Sequence, residues 1–455
     1  MSRAATPITA ESISEHGQPP GVIIPGRWRR LATVVAPLWA DNNESSVLTT
    51  LAPVIITALA LPLAAVGVLI SISKFVSIVF GPIWAVIARK TNRKYALFVA
   101  TLATAATTAV TGLSQNFTQL VVFFGLSAVF IAAALPIVSE ITADLFDEGS
   151  RARASGWTWG LVALLGAIAA PLLGQLANVH DGWRYGFFIW AGITFIAALV
   201  LLAFKDPGVG ASEPTTPLMS VEQRKESGRL TWAKVRHLFV IPTFVLMLVQ
   251  RLLSGQLLLA SFGIIFLVDV RGFDTATAAI VTLTFGLGYL VGTFAGGVVA
   301  DVLQRRSWRY GRIGMLQFAQ FGFGIVALVA TQIDWKHIGV YAAFWAVLGA
   351  LQGLNPGLNR PVVAAVVPPE LRSAAFALML SVFESLAFAL FNLIGALLIG
   401  TIGLQGVMLW IPGVLMLVNG LFVTVLYRTY PRDVVRQGHL LLARTESVSR
   451  TTQGG

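Results

Sequence analysis

The sequence predicts an all-α polytopic membrane protein with twelve transmembrane helices in two six-helix bundles. Three observations carry that prediction. Twelve long apolar stretches run along the 455 residues, each near the roughly 20 residues a helix needs to cross a hydrocarbon core. Arg and Lys gather in alternate gaps between them, as the positive-inside rule expects of cytoplasmic ends. One long polar stretch, residues 205–236, divides the twelve into six and six.

The spans fall at 31–58, 64–88, 95–113, 117–144, 152–177 and 184–204, then at 237–268, 276–303, 310–332, 338–366, 372–400 and 405–427. The even-numbered gaps are basic: Arg89, Lys90, Arg93 and Lys94, then Arg151 and Arg153, then Arg305, Arg306, Arg309 and Arg312. The odd-numbered gaps are short and nearly free of positive charge, as in Ala60-Leu61-Pro62-Leu63 and Ser114-Gln115-Asn116. Arg27, Arg29 and Arg30 precede the first span, and Arg428, Arg432 and Arg436 follow the last. Both ends lie on the basic side only if the span count is even. The expected layout is a cytoplasmic tail (1–30), a bundle (31–204), a cytoplasmic linker (205–236), a second bundle (237–427) and a cytoplasmic tail (428–455). Pro207, Pro214, Pro217 and a run of charges make the linker irregular, with room for a short surface helix.

Composition excludes several classes. The chain is 56% hydrophobic and only 12% charged, with a mean hydropathy of +0.77, against about 25% charged residues in an average soluble domain. The net charge of +11 would suit nucleic acid, but its clustering at span ends is what the positive-inside rule produces, so no nucleic-acid partner is expected. There is no cysteine, and the five histidines lack metal-ligand spacing; no metal or cofactor is expected. The residues up to Ile24 are polar, so the first span itself is expected to direct insertion. No G-x-x-x-x-G-K-[ST] run is present, which points away from nucleotide-driven work; no enzymatic activity is expected of a chain read as a transporter. Six spans, a linker and six spans read as an internal repeat, an arrangement in which two bundles rock about a midplane site.

Motifs then narrow the family. The gap after span eight reads Gly296-Gly297-Val298-Val299-Ala300-Asp301-Val302-Leu303-Gln304-Arg305-Arg306. This resembles the loop motif of the major facilitator superfamily, a small-residue helix end followed by Asp and a basic turn. Glycines let helices approach closely, and an Asp at the helix end can pair across to a neighbour until the bundles separate. The first-half copy, Gly81 to Leu97, keeps the basic turn Arg89-Lys90-Thr91-Asn92-Arg93-Lys94, with Ala88 where the acid is expected and Asn92 where glycine is usual. Gly182-Trp183-Arg184-Tyr185-Gly186-Phe187 looks like the family's entry into span six. Asp144-Leu145-Phe146 with Arg151 and Arg153 resembles the exit of span four, including its form in spinster-like lipid transporters. Gly166, Pro171 and Gly174 partly match an antiporter motif of span five, with Ala170 and Gln175 in place of two glycines. The resemblance implies a cytoplasmic gate of Asp301, Arg305, Arg306, Arg89, Arg93, Asp144 and Arg151, with Glu140 as a helix-end partner for Arg151 or Arg153. Span four lacks the Arg that drug–proton antiporters of the superfamily carry near its start.

Charges within the spans need explanation, because each costs about 2.5–3.5 kcal/mol near the bilayer centre on insertion scales. Span one carries Asp41-Asn42-Asn43-Glu44, with Glu44 about 20 Å beyond Arg30 at roughly 1.5 Å per residue. Four adjacent polar residues cover every side of a helix, which suggests a water-filled cavity or a broken helix there. Lys74 lies mid-span on a small, polar face with Gly67, Ser71 and Gly81, where it can pair with an acid of span one or bind an anion. In the second half, Gln250 and Arg251 fall within span seven, Gln352, Asn355 and Asn359 share a face of span ten, and Glu384 lies near the middle of span eleven. The resemblance puts spans one, four, seven and ten around the cavity, which favours Asp41, Glu44, Arg251 and Asn355. It leaves Lys74 and Glu384 open between cavity and bundle interface.

The expected function is secondary active transport of a small organic, amphipathic solute by alternating access. Proton-coupled export is the leading form, with Glu44 carrying the proton and Asp41 as its partner, in a monomer of the plasma (inner) membrane. Alternatives are an organic-anion uptake symporter using Lys74 and Arg251, a spinster-like lysolipid exporter, and a non-transporting membrane receptor or scaffold.

Overall fold

The computed structural model describes residues 24–146, 148–208, 211, 236–307, 310–368 and 371–453; the side chains of a few residues inside these ranges, and of 441–453, lie outside the description. The described residues form helices and turns, with no strand among them. The first half holds α1 (Arg27–Ala58), α2 (Ala64–Lys90), α3 (Arg93–Gly112), α4 (Phe117–Leu145), α5 (Glu148–Gly174) and α6 (Gly182–Leu201). The second holds α7 (Pro242–Val270), α8 (Thr275–Arg306), α9 (Gly311–Gln332), α10 (Ile338–Val366), α11 (372–402) and α12 (404–423), followed by α13 (Leu426–Gln453). Ten stretches are long and apolar enough to cross a membrane. One of them, Ala374–Val423, is broken at Gly403, whose φ of 69° ends one helix and starts the next. Counting both its helices, and α1 with its polar quartet, fits the expected twelve.

Local sequence fixes several helix starts. Asn92 accepts from the Lys94 amide at 2.9 Å, Asn116 from Gln119 at 2.9 Å and Asp274 from Thr277 at 2.9 Å, each satisfying an orphan donor of a first turn. Pro242 opens α7, where its missing N–H is harmless. The Thr243 amide is then capped from a distance by the Asp433 carboxylate of α13 at 2.8 Å.

Large apolar side chains such as Leu172, Phe294, Val298 and Leu397 are more than 65% exposed, a surface suited to lipid rather than water. Inside the second half, α8 and α10 pack backbone to backbone. A methyl group on Gly288, Gly292, Gly349 or Gly353 would lie about 2 Å from a carbonyl oxygen of the other helix, and small residues at such spacing let helices touch this closely.

The halves meet through α2 on α11 and α5 on α8. The Ser71 hydroxyl donates to the Ala389 carbonyl at 2.8 Å. Gly67 lies against Asn392, Ala396 and Phe262, and Gly174 against Ala279. Most of these contacts lie toward the ends away from the basic loops. Among the described residues the ion pairs at the basic ends stay within one half. Arg93, 4% exposed, binds Asp144 and also Asp206 at 2.5 Å, just beyond α6. Glu140 lies 3.3 Å from Arg89 and 3.7 Å from Arg93. Glu140 thus has partners on α2 and α3, because the turn at Asn92 sets Arg93 against the end of α4; the side chains of Arg151 and Arg153, its expected partners, lie outside the described residues. The Arg151, Asp301 and Arg305 side chains lie outside the described residues, and Arg306 is exposed. Almost all of the linker, 205–236, also lies outside them.

Candidate functional site

The polar quartet of span one does not break the helix. α1 runs unbroken through it, because Asn42 and Asn43 turn their amides back onto the Leu38 and Trp39 carbonyls at 3.2 and 3.0 Å. Asn43 packs on α5, where it fills the space beside Gly166. Asn42 is exposed. Trp190 of α6 donates to the Ala40 carbonyl at 3.0 Å and stacks obliquely on Trp39, which fixes the rotation of α1.

That rotation drives both acids inward. Glu44 is 1% exposed and sits among α1, α3 and α4. Its Oε1 accepts from Thr108 at 2.5 Å and from Ser127 at 2.6 Å, while Oε2 is buried with no partner. Asp41, 3% exposed, has both oxygens buried and unpartnered. The sequence does not single out Thr108 and Ser127, because lone hydroxyls in apolar spans usually bond their own helix.

A second group of charges comes from four helices, with a tyrosine from a fifth. Arg251 of α7 pairs with Glu384 of α11 at 2.5 Å. Lys74 of α2 stands 5.2 Å over the Phe388 ring of α11 and lies within electrostatic range of Glu384. Lys74 thus faces span eleven; the expected pairing with an acid of span one does not form among the described residues, because α2 turns this face to α11. Arg360 of α10 and Tyr289 of α8 also lie within range of Glu384. Arg360 is not picked out by sequence, since an Arg six residues before a span end reads as one that snorkels to the interface. Glu384 follows directly on a wide-turn segment of α11, Ala377–Phe383, a distortion common at functional sites.

The interior of the second half also carries polar side chains. Asn355 accepts from Gln320 at 2.8 Å, and Asn419 donates to the Gln250 and Leu253 carbonyls. Gln250, Gln352 and Asn359 keep buried amide atoms without partners. The expected site residues therefore separate into two groups: Asp41 and Glu44 inside the first half, and Lys74, Arg251, Gln250, Gln352, Asn355, Asn359 and Glu384 in or facing the second. No group of His, Asp and Glu with metal-site geometry occurs among the described residues.

Comparison with known proteins agrees with this architecture. The Major Facilitator Superfamily model matches residues 40–329 and 258–449. The multidrug resistance protein MdtG of Proteus mirabilis is 25% identical over 304 residues, covering 66% of this chain and 69% of that one. The membrane sensor protein UhpC of Escherichia coli is 23% identical over 251 residues, 51% of this chain and 53% of its own. The efflux pump radE of Floropilus chiversii is 26% identical over 224 residues, 44% of this chain and 40% of its own. Among solved structures, a bacterial homologue of the human lysosomal transporter spinster superposes with a TM-score of 0.74 at 20% identity, covering 90% of this chain and 98% of that one. A D-xylose–proton symporter gives 0.67 at 14% identity, over 89% and 98%. With the family model spanning both halves and the helices arranged as in these transporters, the chain belongs to the major facilitator superfamily, whose members are membrane transporters rather than enzymes.

Proposed function

We propose that this transporter exports a small amphipathic organic solute in exchange for protons, with Glu44 as the proton-carrying group and Asp41 as its partner. One observation carries the reading: Glu44 is a buried carboxylate with one oxygen held by two hydroxyls and the other unpartnered. An ionised carboxylate among apolar helices carries a heavy desolvation cost, and a proton on Oε2 removes that charge. Proton occupancy is then coupled to how α1 packs on α3 and α4, and it drives transport if the two states of the cycle hold that proton with different affinity. The relatives named for multidrug resistance and efflux support export.

Among the described residues the halves join mainly away from the basic loops, which supports a basic face that is the open one. In this reading that face is cytoplasmic, the membrane is the inner membrane, both termini are cytoplasmic and the state is inward-facing.

Purified protein in proteoliposomes with an imposed proton gradient, offered a panel of amphipathic dyes, tests the coupling. Glu44→Gln should abolish gradient-driven accumulation while preserving dye binding or exchange, and Glu44→Asp should retain activity with a displaced pH profile. Accumulation by Glu44→Gln equal to that of the unmodified protein would sink the assignment.

A further inference from the structure

We propose that the second half binds the anionic group of an organic solute through Arg251, Arg360 and Lys74, with Glu384 as the internal counter-ion that the solute displaces. The proposal rests on the transporter reading above and gives it a substrate class.

The charge balance is the starting point. Arg251 of α7 pairs with the one acid of α11, Glu384. Lys74 of α2 stands over Phe388, one helical turn along the same helix, and Arg360 of α10 feels the same acid's field, so three cationic side chains face one carboxylate. Of the three, only Arg251 makes an ion pair with Glu384 among the described residues. The two acids of span one do not make up the deficit. Glu44 is held by Thr108 and Ser127, and neither it nor Asp41 forms an ion pair with any described residue. Arg251 is buried and Lys74 and Arg360 are half-buried. Like charges held together away from bulk water without compensation are unfavourable, so an excess of this kind suits a site completed by an anion.

Unmet hydrogen bonds point the same way. Arg251 is 4% exposed, yet its Nε and Nη1 have no partner, and neither does either amide atom of Gln250 beside it. A guanidinium carries only donors. A carboxylate or phosphate would satisfy both its N–H groups and its charge, whereas a neutral solute would leave the charge excess in place. Access is provided for: the Glu384 side chain is 31% exposed although its partner's is 5%. Phe388, under Lys74, offers an aromatic surface for the apolar body of such a solute.

Glu384 then acts as a stand-in ligand. It holds Arg251 when the site is empty, and an incoming anion takes its place. This makes a distinctive demand: removing the negative charge of Glu384 should tighten anion binding, whereas removing a cation should weaken it.

The test uses the full chain in a neutral detergent, titrated with decyl phosphate, decanoate and the matched cation decyltrimethylammonium, each below its micellar concentration. Binding is read from tryptophan fluorescence and the shift in unfolding temperature, with no proton gradient. One or both anions should bind saturably and the cation should not; the stronger anion identifies the headgroup. Lys74→Gln and Arg360→Gln should each weaken anion binding by about tenfold, and Glu384→Gln should tighten it by about tenfold, the scale of roughly 1.4 kcal/mol. Should Arg251→Gln fail to fold, these three variants still decide. Equal or better binding of the cation, or an unchanged or weaker anion affinity in Glu384→Gln, would overturn the proposal. Gradient-driven export of a cationic dye without anion binding would do the same while leaving the transporter reading standing. Anion binding without any gradient-driven flux would reject that reading and keep this site.

Discussion

Arg251 and Glu384 form an ion pair at 2.5 Å between α7 and α11, with the arginine buried and the glutamate about one-third exposed. The asymmetry matters more than the distance. Removing the acid strands a charge with no access to water, and removing the arginine leaves an acid that water can still reach. Breaking a buried pair from the wrong side costs about 3–5 kcal/mol. Glu384→Ala should therefore lower the unfolding temperature more than Arg251→Ala does, and the double variant should recover part of the loss. Equal losses from the two single variants would show that both partners are solvated alike.

Helix contact makes a sharper demand at α8 and α10. Alanine at Gly288, Gly292 or Gly349 puts a methyl group about 2 Å from a backbone oxygen of the other helix, and neither backbone can move without its neighbour. Each should lower the unfolding temperature and expression in the membrane. Gly192, on the exposed face of α6 with nothing within 4 Å, is the control. Its alanine variant should be neutral or gain up to about 1 kcal/mol from helix propensity.

At the basic face, Arg93 bridges Asp144 on α4 and Asp206 beyond α6. One guanidinium serves two carboxylates, a geometry that a lysine ammonium cannot reproduce. Arg93→Lys should destabilise the first half nearly as much as Arg93→Ala, as measured by thermal unfolding or proteolysis. Full retention of stability by the lysine variant would mean that charge alone suffices.

Asp274 lies outside the membrane span at the start of α8. Hydrogen bonds from Thr277 hold its carboxyl below the usual carboxylate range. A depressed acid contributes its stability above the unfolded-state value, about 3.9, and loses it as pH falls through the lower folded-state value. Asp274→Ala should cost about 1 kcal/mol at neutral pH, the ordinary worth of such a cap. The difference from the unmodified protein should vanish below that acid window. A gap between the two proteins that persists undiminished through the acid range would rule out the capping account.

The sequence by itself determined the features that are local. Apolar length marked the spans and alternate basic gaps marked one face, because each depends only on residues a few positions away. The caps at Asn92, Asn116 and Asp274 and the start at Pro242 are equally local, though only the structure places the seventh helix's start at 242 rather than 237. It also picked out most of the charged residues within the membrane, since a charge in an apolar run stands out wherever it points. Tertiary structure decided where each one points. A helix turns about 100° per residue, so the packing of Trp190 on α1 sets whether Glu44 meets lipid, cavity or the hydroxyls of Thr108 and Ser127. In the same way, the facing of α2 and α7 onto α11 decided that Glu384 would hold Arg251 and stand near Lys74. Arg360 joined that group only through the placement of α10. Partners far apart in the chain are chosen by helix rotation and bundle docking, and neither leaves a periodic mark in the sequence of either partner.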